Sequence, residues 1–236
     1  MQGKIIKGIA GFYDVAAGNT IYRCRAKGIF RNQKVKPLVG DWVEIEILDE
    51  KDREGNLTGI LPRTNELIRP AVANVDQAIV VFAAKNPKPN YNLLDRFLMT
   101  MEKQGIPVIV CFNKKDLVKE KELAQLESIY EQCGHQVIFI SAREGNGIDE
   151  IRDLIRGKTT VLAGPSGVGK SSLMNQLNPD ANMEVGAVSR KIQRGRHTTR
   201  LSELIKIEKG TFVLDTPGFS SLDIDRFEEG EVKDYF

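Results

Sequence analysis

Along the first 70 residues the apolar positions fall in short β-rich runs, at 4–13, 20–26, 41–48 and 57–61, with Gly, Asn or Pro between them. Val43, Ile45 and Ile47 alternate with Trp42, Glu44 and Glu46, the period-two pattern of a strand with one wet face. Several short strands with no helical period predict a small closed barrel of the OB type over residues 1–66. Residues 67–75, through Arg69-Pro70, read as a linker, and beyond them the pattern changes. The run 78–83 is apolar throughout, as a parallel strand buried on both faces should be. Leu93, Leu94, Phe97, Leu98 and Met101 share one helical face. A strand at 108–112, a helix at 123–133, a strand at 137–140 and a helix at 148–155 follow, then a strand running into residue 164 and a helix at 170–177. Two further strands, 204–207 and 211–214, are spaced to form a hairpin. The expected fold class is α/β: an N-terminal all-β OB-type barrel followed by a doubly wound domain over residues 76–225, with 226–236 opening a further segment. Ligands of such a domain sit at the carboxyl ends of its strands.

Composition narrows the class. With 41% hydrophobic residues in 236, the chain can bury one or two cores, and a formal net charge of +2 gives no polybasic character overall. The charge is unevenly spread. Residues 1–70 hold 12 Lys/Arg against 9 Asp/Glu, residues 186–200 hold 5 basic and no acidic side chains, and residues 201–236 hold 4 basic against 9 acidic. On the barrel, Phe12, Tyr13, Tyr22, Arg23, Arg25, Lys27, Arg31, Lys34 and Lys36 are candidates for a nucleic-acid surface, and they equally fit a barrel core with a solvated charged rim. Cys24, Cys111 and Cys133 are far apart and odd in number, so they predict buried thiols in a reducing compartment, with neither a disulfide framework nor a zinc site. No apolar run approaches membrane-spanning length, and a cytoplasmic protein is expected.

The chemistry lies in four motifs. Gly164-Pro165-Ser166-Gly167-Val168-Gly169-Lys170-Ser171, followed by Ser172, fits G-x-x-x-x-G-K-[ST] at every fixed position. Its glycines let the backbone curl so that successive N–H groups point at phosphate oxygens. Lys170 supplies a mobile charge for the β- and γ-phosphates, Ser171 offers a hydroxyl to Mg²⁺, and the helix that follows aims its positive end at the anion. Asn113-Lys114-Lys115-Asp116 closes the strand at 108–112; a carboxylate there can accept from both the ring N–H and the exocyclic amine of guanine, while the Lys114 stem lies against the base. Ser141-Ala142-Arg143 follows the next strand, where a backbone N–H can meet the guanine carbonyl. Asp215-Thr216-Pro217-Gly218 ends the last strand, with Asp215 near Mg²⁺ and the Gly218 N–H near the γ-phosphate. Each short motif alone fits an ordinary turn; all four on strand ends point to GTP.

The order of the motifs is unusual, because N-K-K-D and S-A-R precede the phosphate loop and D-T-P-G comes last. This is a circular permutation of the common GTPase order. Together with the barrel, the loop GPSGVGKSSL, the segment GRHTTR and then DTPGF, it resembles the RsgA family of small-ribosomal-subunit biogenesis GTPases over essentially the whole chain. The resemblance implies a GTP hydrolase of late 30S maturation that contacts 16S rRNA and turns over faster when bound to the subunit; the alternative is a GTP-dependent RNA-binding switch on another ribosomal target, with little turnover. It implies that residues 164–172 hold phosphates and Mg²⁺, that Asn113, Lys114, Lys115 and Asp116 hold guanine, and that Thr198 or Thr199 senses Mg²⁺ and the γ-phosphate. Asp215 and Gly218 would form the second switch. Phe219 stands where common GTPases carry a water-orienting glutamine, so His197 is the candidate substitute, with an incidental loop residue as the other reading. The resemblance implies a further C-terminal segment that binds Zn²⁺ through a Cys/His cluster; here the sequence stops at Phe236, which reads as a truncation before that segment, so no zinc ligand is named in this chain, and a monomer is expected.

Overall fold

The computed structural model describes residues 1–26, 30, 35–67, 70–179 and 203–215. They form two compact units, one of residues 1–75, 157–159 and 203–215, the other of residues 76–156 and 160–179. His197, Thr198, Thr199 and Gly218 lie outside the described residues, as do Lys27, Arg31 and Lys34.

The first unit holds the barrel. Its strands are β1 (Gln2–Ile9), β2 (Phe12–Ala17), β3 (Thr20–Ala26), β4 (Trp42–Asp49) and β5 (Glu54–Ile60), closed in the order β1-β2-β3-β5-β4. The β3–β5 pair is parallel and the rest are antiparallel, the OB pattern, and closure leaves no free sheet edge. Ile5, Val15, Cys24, Val43, Ile45 and Leu57 fill the interior. Trp42, Glu44 and Glu46 face outward, as the alternation predicts. The run at 4–13, read as one strand, is two: the chain reverses at Ala10-Gly11, with φ of +51° and +85°. Of the residues that fitted either a nucleic-acid surface or a barrel core, Tyr22 points into the core, because its neighbours Arg23 and Arg25 take the outer face and a strand alternates.

After the barrel, β6 (Glu66–Leu67) pairs with β7 (Val72–Ala73). This stretch is clasped by Arg63, which pairs with Asp41 and Glu66. Asp41, fully buried, accepts from Arg63 Nε at 2.7 Å and Nη2 at 2.8 Å, and from the Leu38 N–H at 2.7 Å. Arg63 also donates to the Lys36 carbonyl and to Glu66. The hairpin β12 (Leu204–Glu208) and β13 (Thr211–Asp215) completes this unit.

In the second unit, β8 (Gln77–Ala83), β9 (Val108–Asn113), β10 (Gln136–Phe139) and β11 (Thr159–Ala163) run parallel in the order β10-β9-β8-β11. Helix α1 (Tyr91–Lys103) connects β8 to β9, α2 (Glu120–Gln132) connects β9 to β10, and α3 (Ile148–Ile155) carries the chain back past β9 and β8 to β11. The reversal lies between β8 and β11, the topological switch point at which doubly wound sheets bind ligands. Every residue of β8 is buried, as its unbroken apolar run requires. Phe82 meets Phe97 of α1 edge-on with ring centres 6.1 Å apart, and Phe112 stacks on Phe139 at 5.7 Å. Of the three cysteines, Cys24 and Cys111 are core residues whose thiols burial pushes up, Cys24 to about 11. Cys133, expected to be buried, is exposed where α2 ends. Among the described residues no helix is long and apolar enough to cross a membrane.

Arg63→Ala would leave the Asp41 carboxylate buried without its counter-charge. We expect a loss of ~3 kcal/mol in urea unfolding, because breaking one side of a buried pair strands the other. Arg63→Lys should recover only part of it, since an ammonium cannot give the two-pronged bond.

Candidate nucleotide-binding site

Four loops leave the carboxyl ends of β8, β9, β10 and β11, and one side chain ties three of them together. Asn113 closes β9 and is 2% exposed. Its Nδ2 donates to the Val168 carbonyl of the phosphate loop at 2.9 Å. Its Oδ1 accepts from the backbone N–H of Lys114 at 2.7 Å and of Ala142 at 3.0 Å. Both ends of the carboxamide are thereby satisfied, as burial demands. The N-K-K-D turn, the S-A-R turn and the phosphate loop are brought to one place through this residue.

Lys114 adopts the left-handed conformation, φ +64° and ψ +37°, which throws its side chain back across the site. Nζ donates to the Gly167 carbonyl at 2.8 Å and to the carbonyl of Asn86, in the loop after β8. The ammonium is thus a strut between the β8 loop and the phosphate loop. Lys115 donates its N–H to the Ile140 carbonyl at 3.0 Å, holding the turn to the end of β10. Asp116 is exposed, and its Oδ1 accepts from the Ser141 hydroxyl at 2.6 Å. Ser141 is fully buried and fixed by backbone bonds with Asn146 in both directions. A buried hydroxyl therefore aims an exposed carboxylate, the arrangement needed to read a pair of donors on a base edge.

The phosphate loop owes its path to two close approaches. Gly164, φ +139°, passes so near β8 that a Cβ would lie 2.1 Å from the Val81 carbonyl oxygen. Gly169, φ +100°, would put a Cβ 2.3 Å from Asn113 Nδ2. No L-residue fits at either position. Gly169, the N-cap of α4 (Lys170–Leu177), makes no side-chain cap bond, and the first turn of that helix carries the N–H groups an anion would use. Lys170 Nζ donates to the carbonyls of Gly164 at 2.7 Å and Pro165 at 2.9 Å, lying across the loop. Pro165, Ser166, Gly167, Ser171 and Ser172 are all at least partly accessible, whereas Val168 is buried and anchors the loop. No cluster of three His, Cys, Asp or Glu side chains suited to a metal exists among the described residues. The Ser171 hydroxyl at the head of α4 fits a Mg²⁺ bound mainly through a nucleotide's phosphates. Asp215 is the last residue of β13.

Two contributors were not singled out in the sequence. Asn86 supplies a carbonyl, and Gln176 of α4 donates from Nε2 to the Ala142 carbonyl at 3.1 Å. Neither belongs to a recognisable motif; the helical period places Gln176 on α4 but cannot name its partner. The barrel carries a second surface of its own. On its outer face the guanidinium carbons of Arg23 and Arg25 lie 5.1 and 4.9 Å from the centre of the Phe12 ring. Both arginines are exposed. A cation–π stack of this kind presents charge and an aromatic face together.

Two family matches divide the chain: the RsgA GTPase over residues 60–225 and the RsgA N-terminal domain over residues 2–56. The chain is 56% identical, over 98% of its own length and 80% of the relative's, to the small ribosomal subunit biogenesis GTPase RsgA of Agathobacter rectalis. It is 52% identical, over 100% of itself and 80% of the relative, to the protein of the same name from Alkaliphilus metalliredigens. The crystal structure of YjeQ from Thermotoga maritima is similar with a TM-score of 0.82 and 34% identity, over 100% of this chain and 81% of that one. The crystal structure of YloQ, a circularly permuted GTPase, is similar with a TM-score of 0.77 and 40% identity, over 100% and 77%.

Asn113→Ala removes partners from the Val168 carbonyl and from the Lys114 and Ala142 N–H groups at once. A loss of about 2–3 kcal/mol in guanine-nucleotide affinity is expected by calorimetry, with GDP and GTP affected alike. Asn113→Asp keeps both accepting bonds but sets a carboxylate against the Val168 carbonyl, so it should be no better than alanine at neutral pH. Affinity retained in Asn113→Asp would show that the bond to Val168 does not hold the loop.

Proposed function

The chain belongs to the RsgA family of circularly permuted GTPases, and from that premise we propose that it hydrolyses GTP to GDP and phosphate in the biogenesis of the small ribosomal subunit, as its relatives are named for doing. The observation that carries the nucleotide reading is the Asn113 junction, which brings a guanine-type turn and a phosphate loop to one place. A GTP-held switch on another ribosomal target, with little turnover, is the less favoured reading, because the named relatives are small-subunit GTPases.

In our reading Asp116 accepts from guanine, the Lys114 stem covers the base, and the Ala142 end of the S-A-R turn faces the guanine carbonyl. Residues 164–172 cradle the phosphates. Lys170 releases its loop carbonyls for the β- and γ-phosphate oxygens. Ser171, with Asp215 and Thr198 or Thr199, would hold a Mg²⁺ ion, which would supply positive charge beside the phosphates. Water attacks the γ-phosphorus in line as the bond from that phosphorus to the β–γ bridging oxygen breaks; the electron pair leaves with GDP, and the water's proton passes to an oxygen of the phosphate released. The protein's task is to position groups and compensate charge. Phe219 has no group to hold that water, so we assign its orientation to His197, beside the threonines of the first switch. The assignment of Gly218 to the γ-phosphate belongs to the same reading.

We read residues 1–66 as an RNA-facing barrel, 67–75 as its connection, and 76–225 as the GTPase. The arginine–phenylalanine stack and the basic run Arg190, Lys191, Arg194, Arg196 and Arg200 support contact with 16S rRNA of the 30S subunit by a monomeric cytoplasmic protein.

Guanine reading is tested by Asp116→Asn, which should lose ~2–5 kcal/mol of GTP affinity and gain affinity for xanthosine triphosphate. Unchanged GTP affinity would remove Asp116 from the site. Phosphate release with purified ribosomal subunits tests the rest. Slow intrinsic turnover, on the order of 10⁻⁴ s⁻¹, should rise with small but not large subunits. His197→Ala should remove ~10²–10³-fold of the stimulated rate while leaving GTP affinity intact. A full stimulated rate in that variant would assign water activation to the subunit.

A further inference from the structure

Lys4 lies on the outer face of β1, next to the core residue Ile5 and opposite Trp42, yet it is buried. It is 2% exposed on β1. Its Nζ donates to the Thr159 hydroxyl and stands 5.4 Å from the centre of the Phe212 ring and 5.1 Å from that of Trp42. An unbranched apolar side chain would fill the space without the cost of desolvating an ammonium. What the cation adds is direction: a hydroxyl on one side and two ring faces on the others.

The positions of its partners give that direction a use. Thr159 is the first residue of β11, whose far end runs into Gly164 of the phosphate loop. Phe212 is the second residue of β13, whose far end is Asp215 of D-T-P-G. One ammonium on the barrel therefore grips the base of both strands that lead to the phosphate-binding motifs. The surrounding contacts fasten the same elements. Phe212 donates its N–H to the Lys158 carbonyl at 2.9 Å, and Gly157 donates to the Thr211 hydroxyl at 2.8 Å. Lys7 pairs with Glu203 both in backbone register and through a 2.8 Å ion pair, and Lys206 donates to the Gly18 carbonyl at 2.8 Å. Residues 157–159 and 203–215 accordingly form one compact unit with the barrel.

We infer that Lys4 is a positioning residue that couples the state of the nucleotide to the barrel, an inference that rests on the GTPase reading above. A γ-phosphate held by D-T-P-G loads the end of β13. Phe212, three residues earlier on the same strand, shifts against the Lys4 ammonium, and the ammonium shifts against Trp42. Coupling of this kind is reciprocal: whatever favours one position of the stack from the barrel side favours the matching nucleotide state by the same factor. The outer partner of the barrel and the γ-phosphate need no shared contact.

The chain has a single tryptophan, so Trp42, 40% exposed, reports on this stack alone. Its emission is measured on the full chain saturated with GDP and then with a non-hydrolysable GTP analogue. The two spectra should differ, and Lys4→Met should abolish the difference while leaving affinity for each nucleotide within about twofold. The same variant should lower stimulation by small subunits relative to its own intrinsic rate. Phe212→Leu, which keeps the core filled, gives the same test from the other side should Lys4→Met fail to fold. Identical spectra in the two nucleotide states overturn the inference, as does a difference that survives Lys4→Met or Phe212→Leu. Failure of the GTPase reading looks different, since neither nucleotide would then bind.

Discussion

A buried carboxamide must satisfy a donor and an acceptor at the same time, and Asn113 does so by reaching three loops from the end of one strand. Much of the nucleotide-facing geometry follows. The phosphate loop is held at Val168, leaving its flanking residues accessible to an anion. Gly169 must lack a side chain because the Asn113 amide occupies that space. Ala142 is fixed by its N–H, and Gln176 of α4 holds its carbonyl. The cost of leaving any of these groups unpaired in a buried place is what makes the arrangement rigid.

The fold was legible where one local pattern decides it. The unbroken apolar run at 78–83 could only be a strand covered on both faces, and the alternation at 42–47 correctly put Val43 and Ile45 inside. The phosphate loop was legible because glycine is the only residue that allows its path. What escaped notice depends on neighbours distant in sequence. Ala10-Gly11 reads as the middle of a β-rich run because alanine is no turn residue, yet tertiary closure of the barrel turns the chain there. Tyr22 and Arg23 fitted either the outer surface or the core from their types alone; adjacent strand residues take opposite faces, and the pairing with β2 decides which of them goes in. Asp41 and Arg63 are too far apart in the chain for spacing to pair them. In the site, the motif named Asn113 but not its partners, and Ser141 gave no sign that it would aim Asp116.

The two units solve the same problem by different means. In the barrel unit, an ion pair with a fully buried carboxylate fixes where the chain leaves the last strand. In the α/β unit, a neutral carboxamide fixes where three loops meet. A charge tolerates burial only with its counter-charge in place, so the clasp at Asp41 is strong and intolerant. The amide carries no such liability next to a site that must accept a highly charged ligand.

The Lys114 strut has a further consequence for how a ligand is felt. Its ammonium holds the Asn86 and Gly167 carbonyls together, so the loop after β8 and the phosphate loop share one mechanical member. Base and phosphate are then not independent addresses. A guanosine without phosphates, or pyrophosphate without a base, would meet only half of a structure whose halves stiffen each other. The whole nucleotide would bind more tightly than the two fragments' free energies, joined, account for.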